Sequence, residues 1–115
     1  MLPFKTEKPW GYEILLEKNE FYVVKELFMK KDCMCSLQFH ELKHETIYVL
    51  SGTLIIFYDD RVNGLQEKIL EKGDVLAIPP KVIHRMAGKT DTLYLESSTP
   101  QLEDVVRLND LYGRV

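Results

Sequence analysis

Two short segments of this 115-residue chain carry side chains that can bind a metal ion. The first contains Gln38, His40 and Glu45, and the second ends at His84. An amide oxygen, two imidazoles and a carboxylate form a mixed donor set that suits a divalent transition metal. Gln38 and His40 lie two residues apart, so on a strand they share one face. Glu45 needs a bend or bulge to join them, and bulges are frequent beside active sites.

The same residues also have simpler interpretations. His84 follows the Pro79–Pro80 turn and could be an ordinary half-buried histidine. His44 is adjacent to Glu45, so strand alternation points its side chain to the opposite face. We therefore expect His44 to be a bystander of any metal site.

The spacing of these segments resembles the two sequence motifs of the cupin superfamily, the small double-stranded β-helix jelly rolls. The matching positions are His40, Glu45 and Gly52 in the first motif and Gly73, Pro79 and His84 in the second. The resemblance implies an all-β fold, a small cupin jelly-roll barrel, built from residues 1–115 as one domain.

The chain departs from the usual motifs at four positions. Leu42 stands where many cupins have a second histidine, and Met34 and Lys81 replace glycines. Gly88 replaces a final asparagine. The resemblance implies that Gln38 supplies the missing ligand, giving a Gln-His-Glu-His set like that of the phosphomannose isomerases. The implied cofactor is one divalent metal ion (zinc, iron, manganese or nickel), and the implied ligands are Gln38, His40, Glu45 and His84.

Both ends of the chain resemble one branch of these proteins. Residues 8–13 read Lys-Pro-Trp-Gly-Tyr-Glu, and residues 104–114 end in Leu-Tyr-Gly-Arg. They are similar to the start and tail of the type II mannose-6-phosphate isomerases and of the C-terminal isomerase domain of mannose-1-phosphate guanylyltransferases. The resemblance implies a metal-dependent isomerase that interconverts mannose 6-phosphate and fructose 6-phosphate or a related sugar phosphate.

Such an isomerisation moves a proton between C1 and C2 through an enediol, so a base must lie within hydrogen-bond reach of that proton. Glu96, Lys43 and His44 are candidates for the base, and Arg114 of the tail completes the predicted catalytic set. A phosphate group requires cations, and guanidinium binds it bidentately. The predicted substrate-binding residues are Lys81, Arg85, Arg107 and Tyr112.

Two other functions remain open from the sequence. One is a non-catalytic domain that keeps the barrel and binds a sugar or sugar nucleotide. The other is a metal-dependent dioxygenase, because one fold can carry many chemistries. The chain has no Gly-rich nucleotide loop, so we do not expect guanylyltransferase activity from these residues.

The elements that position these residues are predicted to be short strands. Segments rich in β-branched and aromatic residues alternate with turn residues, which favours an antiparallel sandwich or barrel. The predicted strands are residues 12–17, 21–29, 34–40, 46–50, 53–58, 75–78 and 93–97. From Thr99 the pattern predicts a short C-terminal helix or turn, with Thr99-Pro100 as its cap and Leu102, Val105 and Val106 on one face.

Alternation along residues 33–40 separates a polar and an apolar set. The polar set takes the even positions, which are Met34 (itself apolar), Ser36, Gln38 and His40, and the apolar set is Cys33, Cys35, Leu37 and Phe39. A purely structural sandwich would bury the apolar set, whereas the metal motif favours a barrel with the polar set inside. An outward apolar row is costly to leave in water, so it predicts a homodimer.

Composition limits the possible partners and location. The chain has 15 basic and 18 acidic residues and a net charge of −3, with no basic patch. Neither nucleic acid nor a membrane surface is therefore an expected partner. The N-terminus lacks an apolar signal core, which predicts a cytoplasmic protein. Cys33 and Cys35 are too far apart on a strand for an unstrained disulfide, so we expect free thiols.

Overall fold

The computed structural model describes residues 1–59, 62–101 and 103–109, which form eleven strands. They are β1 (Phe4–Lys8), β2 (Gly11–Lys18), β3 (Val23–Met29), β4 (Leu37–Phe39), β5 (Glu45–Ser51), β6 (Thr53–Asp59), β7 (Leu65–Glu71), β8 (Val75–Ile78), β9 (His84–Gly88), β10 (Thr92–Ser98) and β11 (Val106–Asn109). In these ranges we find no helix with the length and apolar character that a membrane crossing requires.

The strands form two antiparallel sheets. The first sheet has the order β1-β2-β3-β10-β5-β8, and the second has the order β11-β4-β9-β6-β7. The hydrophobic core takes side chains from both sheets, for example Ile47 and Tyr94 from the first and Leu54 and Ile56 from the second. The predicted all-β jelly-roll fold is confirmed.

Strand β5 shows how the sequence creates a polar end to this core. Ile47 and Val49 are fully buried, and Tyr48 between them is exposed, as the period of two requires. Glu45 lies on the same inward face and is 1% exposed. The strand thus buries a carboxylate in line with its apolar residues.

A tight turn at Gly52 joins β5 to β6. Gly52 has a φ of +83°, and a Cβ atom there would lie 2.2 Å from the backbone oxygen of Asp91. Only glycine fits this turn without moving the β9–β10 connection. Gly73, in the turn before β8, has a φ of +88° but open space around it.

The predicted strand at residues 34–40 is shorter than expected. Only Leu37–Phe39 pairs as β4, and the neighbouring Cys35 and Ser36 are both buried. The Cys35 N–H donates to the Met86 oxygen, which turns the Cys35 side chain into the core. The prediction that Cys35 lies in an outward apolar row with Cys33, Leu37 and Phe39 is therefore wrong. Cys33 also packs against the core, so this row does not form one exposed strip.

Of the predicted C-terminal helix or turn, the described part of the tail forms a turn at Glu103 and no helix. The Thr99 hydroxyl accepts a hydrogen bond from the His44 N–H instead of capping a helix. Val106–Asn109 pairs with β4 and completes the edge of the second sheet. Leu102 lies outside the described residues. Four strands, β1, β7, β9 and β11, were not among the predicted ones.

Candidate functional site

Three side chains with metal-binding atoms meet in the interior. His40 directly follows β4, Glu45 begins β5 and His84 begins β9, so the first sheet supplies one donor and the second sheet supplies two. Nε2 of His84 lies 2.9 Å from Oε1 of Glu45, and Nε2 of His40 lies 3.4 Å from the same oxygen. One donor atom from each residue lies within 4.8 Å of the others.

The other ring nitrogen of each histidine fixes its tautomer. Nδ1 of His84 donates to the Val82 oxygen at 2.9 Å, and Nδ1 of His40 donates to the Asp104 backbone oxygen. A carbonyl can only accept, so Nδ1 carries a proton in each ring and Nε2 is the ring nitrogen directed at Glu45.

These atoms have no hydrogen-bond partner among the described residues. Nε2 of His40, Nε2 of His84 and both carboxylate oxygens of Glu45 are buried without one. Buried polar atoms are normally satisfied, and imidazole nitrogens and carboxylate oxygens are ordinary metal ligands. The donor set therefore fits a divalent metal ion.

Gln38 lies beside this group on β4. It stands opposite His84 on one neighbouring strand and opposite Arg107 on the other. Its Oε1 accepts a hydrogen bond from the Ser36 hydroxyl at 3.0 Å. An amide oxygen has two lone pairs, so one remains for a ligand.

Lys43 and Glu96 form a second buried group against Glu45. Nζ of Lys43 lies 3.5 Å from Oε2 of Glu45 and 3.8 Å from Oε2 of Glu96. Burial raises the pKa of Glu96 to about 8, and the charge of Glu45 acts in the same direction. Burial opposes ionisation of Glu45 too, but its polar contacts with His40, His84 and Glu96 and the charge of Lys43 hold its pKa well below the ordinary value. Near neutral pH, Glu45 is ionised while most of Glu96 retains its proton.

The Lys43–Glu96 pair and His40 line a cavity of about 160 Å³. Its lining comes from both sheets and includes four cationic side chains: Lys8, Lys25, Lys43 and Arg107. Glu13 pairs with Lys8 at 3.2 Å and with Lys25 at 2.8 Å. Nε of Arg107 is buried without a hydrogen-bond partner among the described residues. Although the whole chain has a net negative charge, these four cations make the cavity suitable for an anionic ligand.

A second cavity, of about 280 Å³, is apolar. It is lined by Tyr58, Asp59, Leu76, Ala77, Ile78, Pro79 and Val82. None of the predicted site residues lies in this lining, so we assign the site to the smaller, charged cavity.

The structure brings most of the predicted site residues together. The charged cavity is lined by Gln38, His40, Lys43, Glu96 and Arg107. Glu45 contacts His40 and Lys43 of this lining, and His84 contacts Glu45. His44 is exposed, as expected for a bystander.

Two predicted substrate-binding residues lie elsewhere. Nε of Arg85 donates to the Cys35 oxygen at 2.9 Å, and its Nη2 donates to the Asn109 oxygen at 3.3 Å. These bonds hold the Arg85 guanidinium on the backbone, and Arg85 does not line the cavity. Lys81 is exposed and contacts the site through its backbone N–H, which donates to the His40 oxygen. Tyr112 and Arg114 lie outside the described residues.

Sequence reasoning did not assign Lys8, Glu13 or Lys25 to the site, although all three line the charged cavity. Lys8 and Glu13 lie within the N-terminal segment on which the family resemblance rests, so that segment was a usable signal. Lys25 stands opposite Glu96 in the pairing of β3 with β10. That pairing joins residues far apart in the chain, and no local pattern reveals it. Trp10 is buried and lines the cavity, so it packs in the core beside the site.

Curated relatives match almost the whole chain. The xanthan biosynthesis protein XanB of Xanthomonas campestris pv. campestris (strain B100) is 30% identical over 115 residues, which are 96% of this chain and 24% of XanB. The mannose-1-phosphate guanylyltransferase ManC of Salmonella typhimurium is 31% identical over 113 residues, 94% of this chain and 22% of ManC. The alginate biosynthesis protein AlgA of Pseudomonas aeruginosa is 30% identical over 112 residues, 93% of this chain and 22% of AlgA. This chain thus spans less than a quarter of each of these relatives.

Solved structures share the fold at low identity. The capsular polysaccharide assembling protein CapF of Staphylococcus aureus superposes with a TM-score of 0.80 at 19% identity, over 92% of this chain and 31% of CapF. Oxalate decarboxylase of Bacillus subtilis gives 0.81 at 15% identity, over 93% of this chain and 30% of the enzyme chain. KdgF from a Halomonas species gives 0.75 at 16% identity and covers 89% of that chain and 88% of this one. The sequence pattern described as "Cupin domain" matches residues 19–96. With a jelly-roll fold and a matching sequence pattern over more than half its length, this chain belongs to the cupin domain family.

Proposed function

We propose that this cupin domain is a metal-dependent sugar-phosphate isomerase that interconverts mannose 6-phosphate and fructose 6-phosphate or a related pair. The observation that carries the proposal is the buried His40–Glu45–His84 donor set, with Lys43 and Glu96 beside it in a cation-lined cavity. The relative ManC, whose name includes a mannose phosphate, supports a sugar phosphate as the substrate class.

The proposed metal ligands are His40, Glu45 and His84, with Gln38 as the fourth. A divalent ion bound there would polarise a carbonyl group and stabilise the negative charge of an enediolate. Zinc, iron, manganese and nickel all suit this donor set. The chain's own contribution is to hold both Nε2 atoms as lone-pair donors and to exclude water from them by burial.

Glu96 is the proposed acid and base. Its carboxyl group lines the cavity, is buried, and has a pKa of about 8, so it can give and take a proton near neutral pH. Lys43 neutralises the ionised form, because its ammonium group lies 3.8 Å from the Glu96 carboxyl group. Proton transfer between C1 and C2 of the sugar would then run through one side chain.

Arg107 is the proposed phosphate ligand, with Lys8 and Lys25 as additional cations. The Arg107 Nε has no partner among the described residues, and its guanidinium can bind phosphate oxygens in pairs. We also propose that Arg114 and Tyr112 assist at the substrate. A homodimer and a cytoplasmic location remain predictions from the sequence.

A coupled assay with mannose 6-phosphate, with and without a chelator, tests the proposed activity. We expect turnover that the chelator abolishes and that the metal restores. Glu96→Gln keeps the shape of the side chain but cannot accept the proton, so kcat should fall by about 100-fold or more with metal content unchanged. Glu67→Gln, on the exposed face of β7, is the matched control and should keep full activity.

The alternatives give different results in the same protein. Absence of turnover in the metal-loaded protein would contradict the isomerase proposal. A ligand-dependent rise in Tm without turnover would indicate a non-catalytic sugar-binding domain. Oxygen uptake by the iron-loaded protein would indicate a dioxygenase.

A further inference from the structure

The carboxylate of Asp104 binds a row of backbone N–H groups beside the metal donors. Its Oδ1 accepts from the Glu41 N–H at 3.0 Å, and its Oδ2 accepts from the N–H groups of Leu42 and Lys43 at 2.7 and 2.9 Å. Residues 41–43 connect His40 to the segment that carries Glu45. One side chain from the tail therefore binds three of the four residues between two candidate ligands.

The backbone of the same residue contacts a candidate ligand directly. The Asp104 oxygen accepts the Nδ1 proton of His40. His84 has an equivalent bond, but its acceptor is the oxygen of Val82 only two residues away. The orientation of His84 is thus fixed locally, whereas that of His40 depends on a segment 64 positions further along the chain.

We propose that Asp104 is a positioning residue for the metal site: its carboxylate ties the tail to residues 41–43 so that its backbone oxygen holds the His40 ring with Nε2 toward Glu45. Hydrogen-bond partners of metal-binding histidines fix the tautomer and raise the ligand's basicity. The effect on metal binding rests on the proposed function, but the effect on the His40 ring does not.

The residues next to Asp104 extend its role to the cavity. Val105 and Arg107 follow it in the chain and both line the cavity. Lys43, the last residue of the bound loop, lies on the same lining. Loss of the Asp104 contacts would therefore loosen the His40 ring, Lys43 and Arg107 together.

The test compares Asp104→Ala with Asp91→Ala in the full chain. Asp91 is a matched control, because its carboxylate also accepts a backbone N–H, from Lys31 at 2.8 Å, but it does not contact the metal donors. Zinc affinity is measured by competition with a coloured chelator. The tautomers of His40 and His84 are read from imidazole ¹⁵N shifts in the metal-free protein.

We expect Asp104→Ala to weaken zinc binding by about 10-fold or more, in the range found for other outer partners of metal ligands. His40 should become a mixture of tautomers while His84 keeps its Nδ1 proton. Asp91→Ala should change neither measurement. If Asp104→Ala does not fold, Asp104→Asn retains one carbonyl oxygen and should give an intermediate loss of affinity.

Three results would overturn the proposal. One is an unchanged His40 tautomer with zinc affinity within about twofold of wild type. Another is an equal loss of zinc affinity in the Asp91 variant. The third is a change of tautomer in both His40 and His84. Either of these two results would indicate a general loss of structure. If the wild-type protein does not bind zinc, the metal proposal fails for zinc, and the comparison of the two histidines still decides whether Asp104 positions His40.

Discussion

Nε2 of His84 lies 2.9 Å from Oε1 of Glu45, yet neither atom makes a hydrogen bond in the described residues. The Val82 oxygen accepts the Nδ1 proton of His84, so Nε2 is the ring atom that faces the carboxylate. A metal ion bound between the two atoms would accept a lone pair from each of them.

Metal binding should therefore raise the stability of the protein markedly. Zinc or manganese at about 100 times its Kd should add about 2.7 kcal/mol, which raises Tm by roughly 10 °C in a domain of this size. Glu45→Gln should reduce this gain, and scanning calorimetry with and without a chelator measures it. Glu67→Gln is the control and should respond to metal like the wild type. An equal gain in the Glu45 variant would exclude Glu45 as a ligand.

Arg107 should discriminate between phosphorylated and free sugars. Replacement by methionine keeps much of the side-chain length but removes the guanidinium, so affinity for a sugar phosphate should fall by roughly 10-fold or more. Binding of the unphosphorylated sugar should change little. Calorimetric titration with both ligands measures the difference, and Arg85→Met is a suitable control because the Arg85 guanidinium binds backbone oxygens. Similar losses for both ligands would contradict a phosphate contact.

The ion pairs of Glu13 should stabilise the protein only above acidic pH. Burial disfavours the charged form, but the nearby Lys25 and Lys8 outweigh it and lower the pKa of Glu13 below its ordinary 4.5. The stabilisation is thus fully present above that ordinary value and is lost as the pH falls through the lower, folded-state pKa. Glu13→Gln should cost about 1 kcal/mol near neutral pH and less as the pH falls. Urea unfolding across this range measures it, and Glu20→Gln, at an exposed site, should show no such trend.

Cys35 should resist alkylation in the folded protein. Burial raises the pKa of its thiol to about 11, with a smaller opposing effect from the Met86 N–H. At about pH 8 only about one thiol in a thousand would then be ionised. Iodoacetamide followed by mass spectrometry should label the half-buried Cys33 first and Cys35 only after unfolding. Equal labelling rates in the native protein would show that Cys35 is not held in the core.

Gly52 and Gly73, the glycines of the two motifs, should lose different amounts of stability when they are replaced by alanine. Both have positive φ, which costs an alanine roughly 1–2 kcal/mol. A Cβ at Gly52 would also collide with the Asp91 oxygen, whereas none of the described atoms lies within 4 Å of one at Gly73. Gly52→Ala should therefore lose about 3 kcal/mol or more of unfolding free energy, clearly more than Gly73→Ala. Equal losses in chemical denaturation would mean that the β9–β10 connection moves aside freely.

The sequence predicted the donor set because its members lie at fixed spacings within two short segments. His40 and Glu45 are five residues apart, and His84 lies at the end of the second motif, so local pattern and family resemblance both identify them. Lys25 could not be found in this way, because it approaches Glu96 only through the pairing of β3 with β10.

Strand alternation was reliable only where the strand is regular. It placed His44 and Glu45 on opposite faces correctly, but Cys35 turns inward because its N–H bonds to Met86 outside the regular ladder. The helix expected after Thr99 failed for a related reason. Its capping hydroxyl bonds to His44, which is distant in sequence, and such a partner outweighs local helix preference.

The donor set joins the two sheets face to face. Glu45 belongs to the first sheet, whereas His40 and His84 stand on the second, so the 2.9 and 3.4 Å contacts cross the interior. A change in the spacing between the sheets alters these distances directly. A larger side chain at Val49, deep in the core, would then change the donor distances although residue 49 contacts no metal ligand. The distances between the three donor residues therefore depend on how closely the two sheets pack.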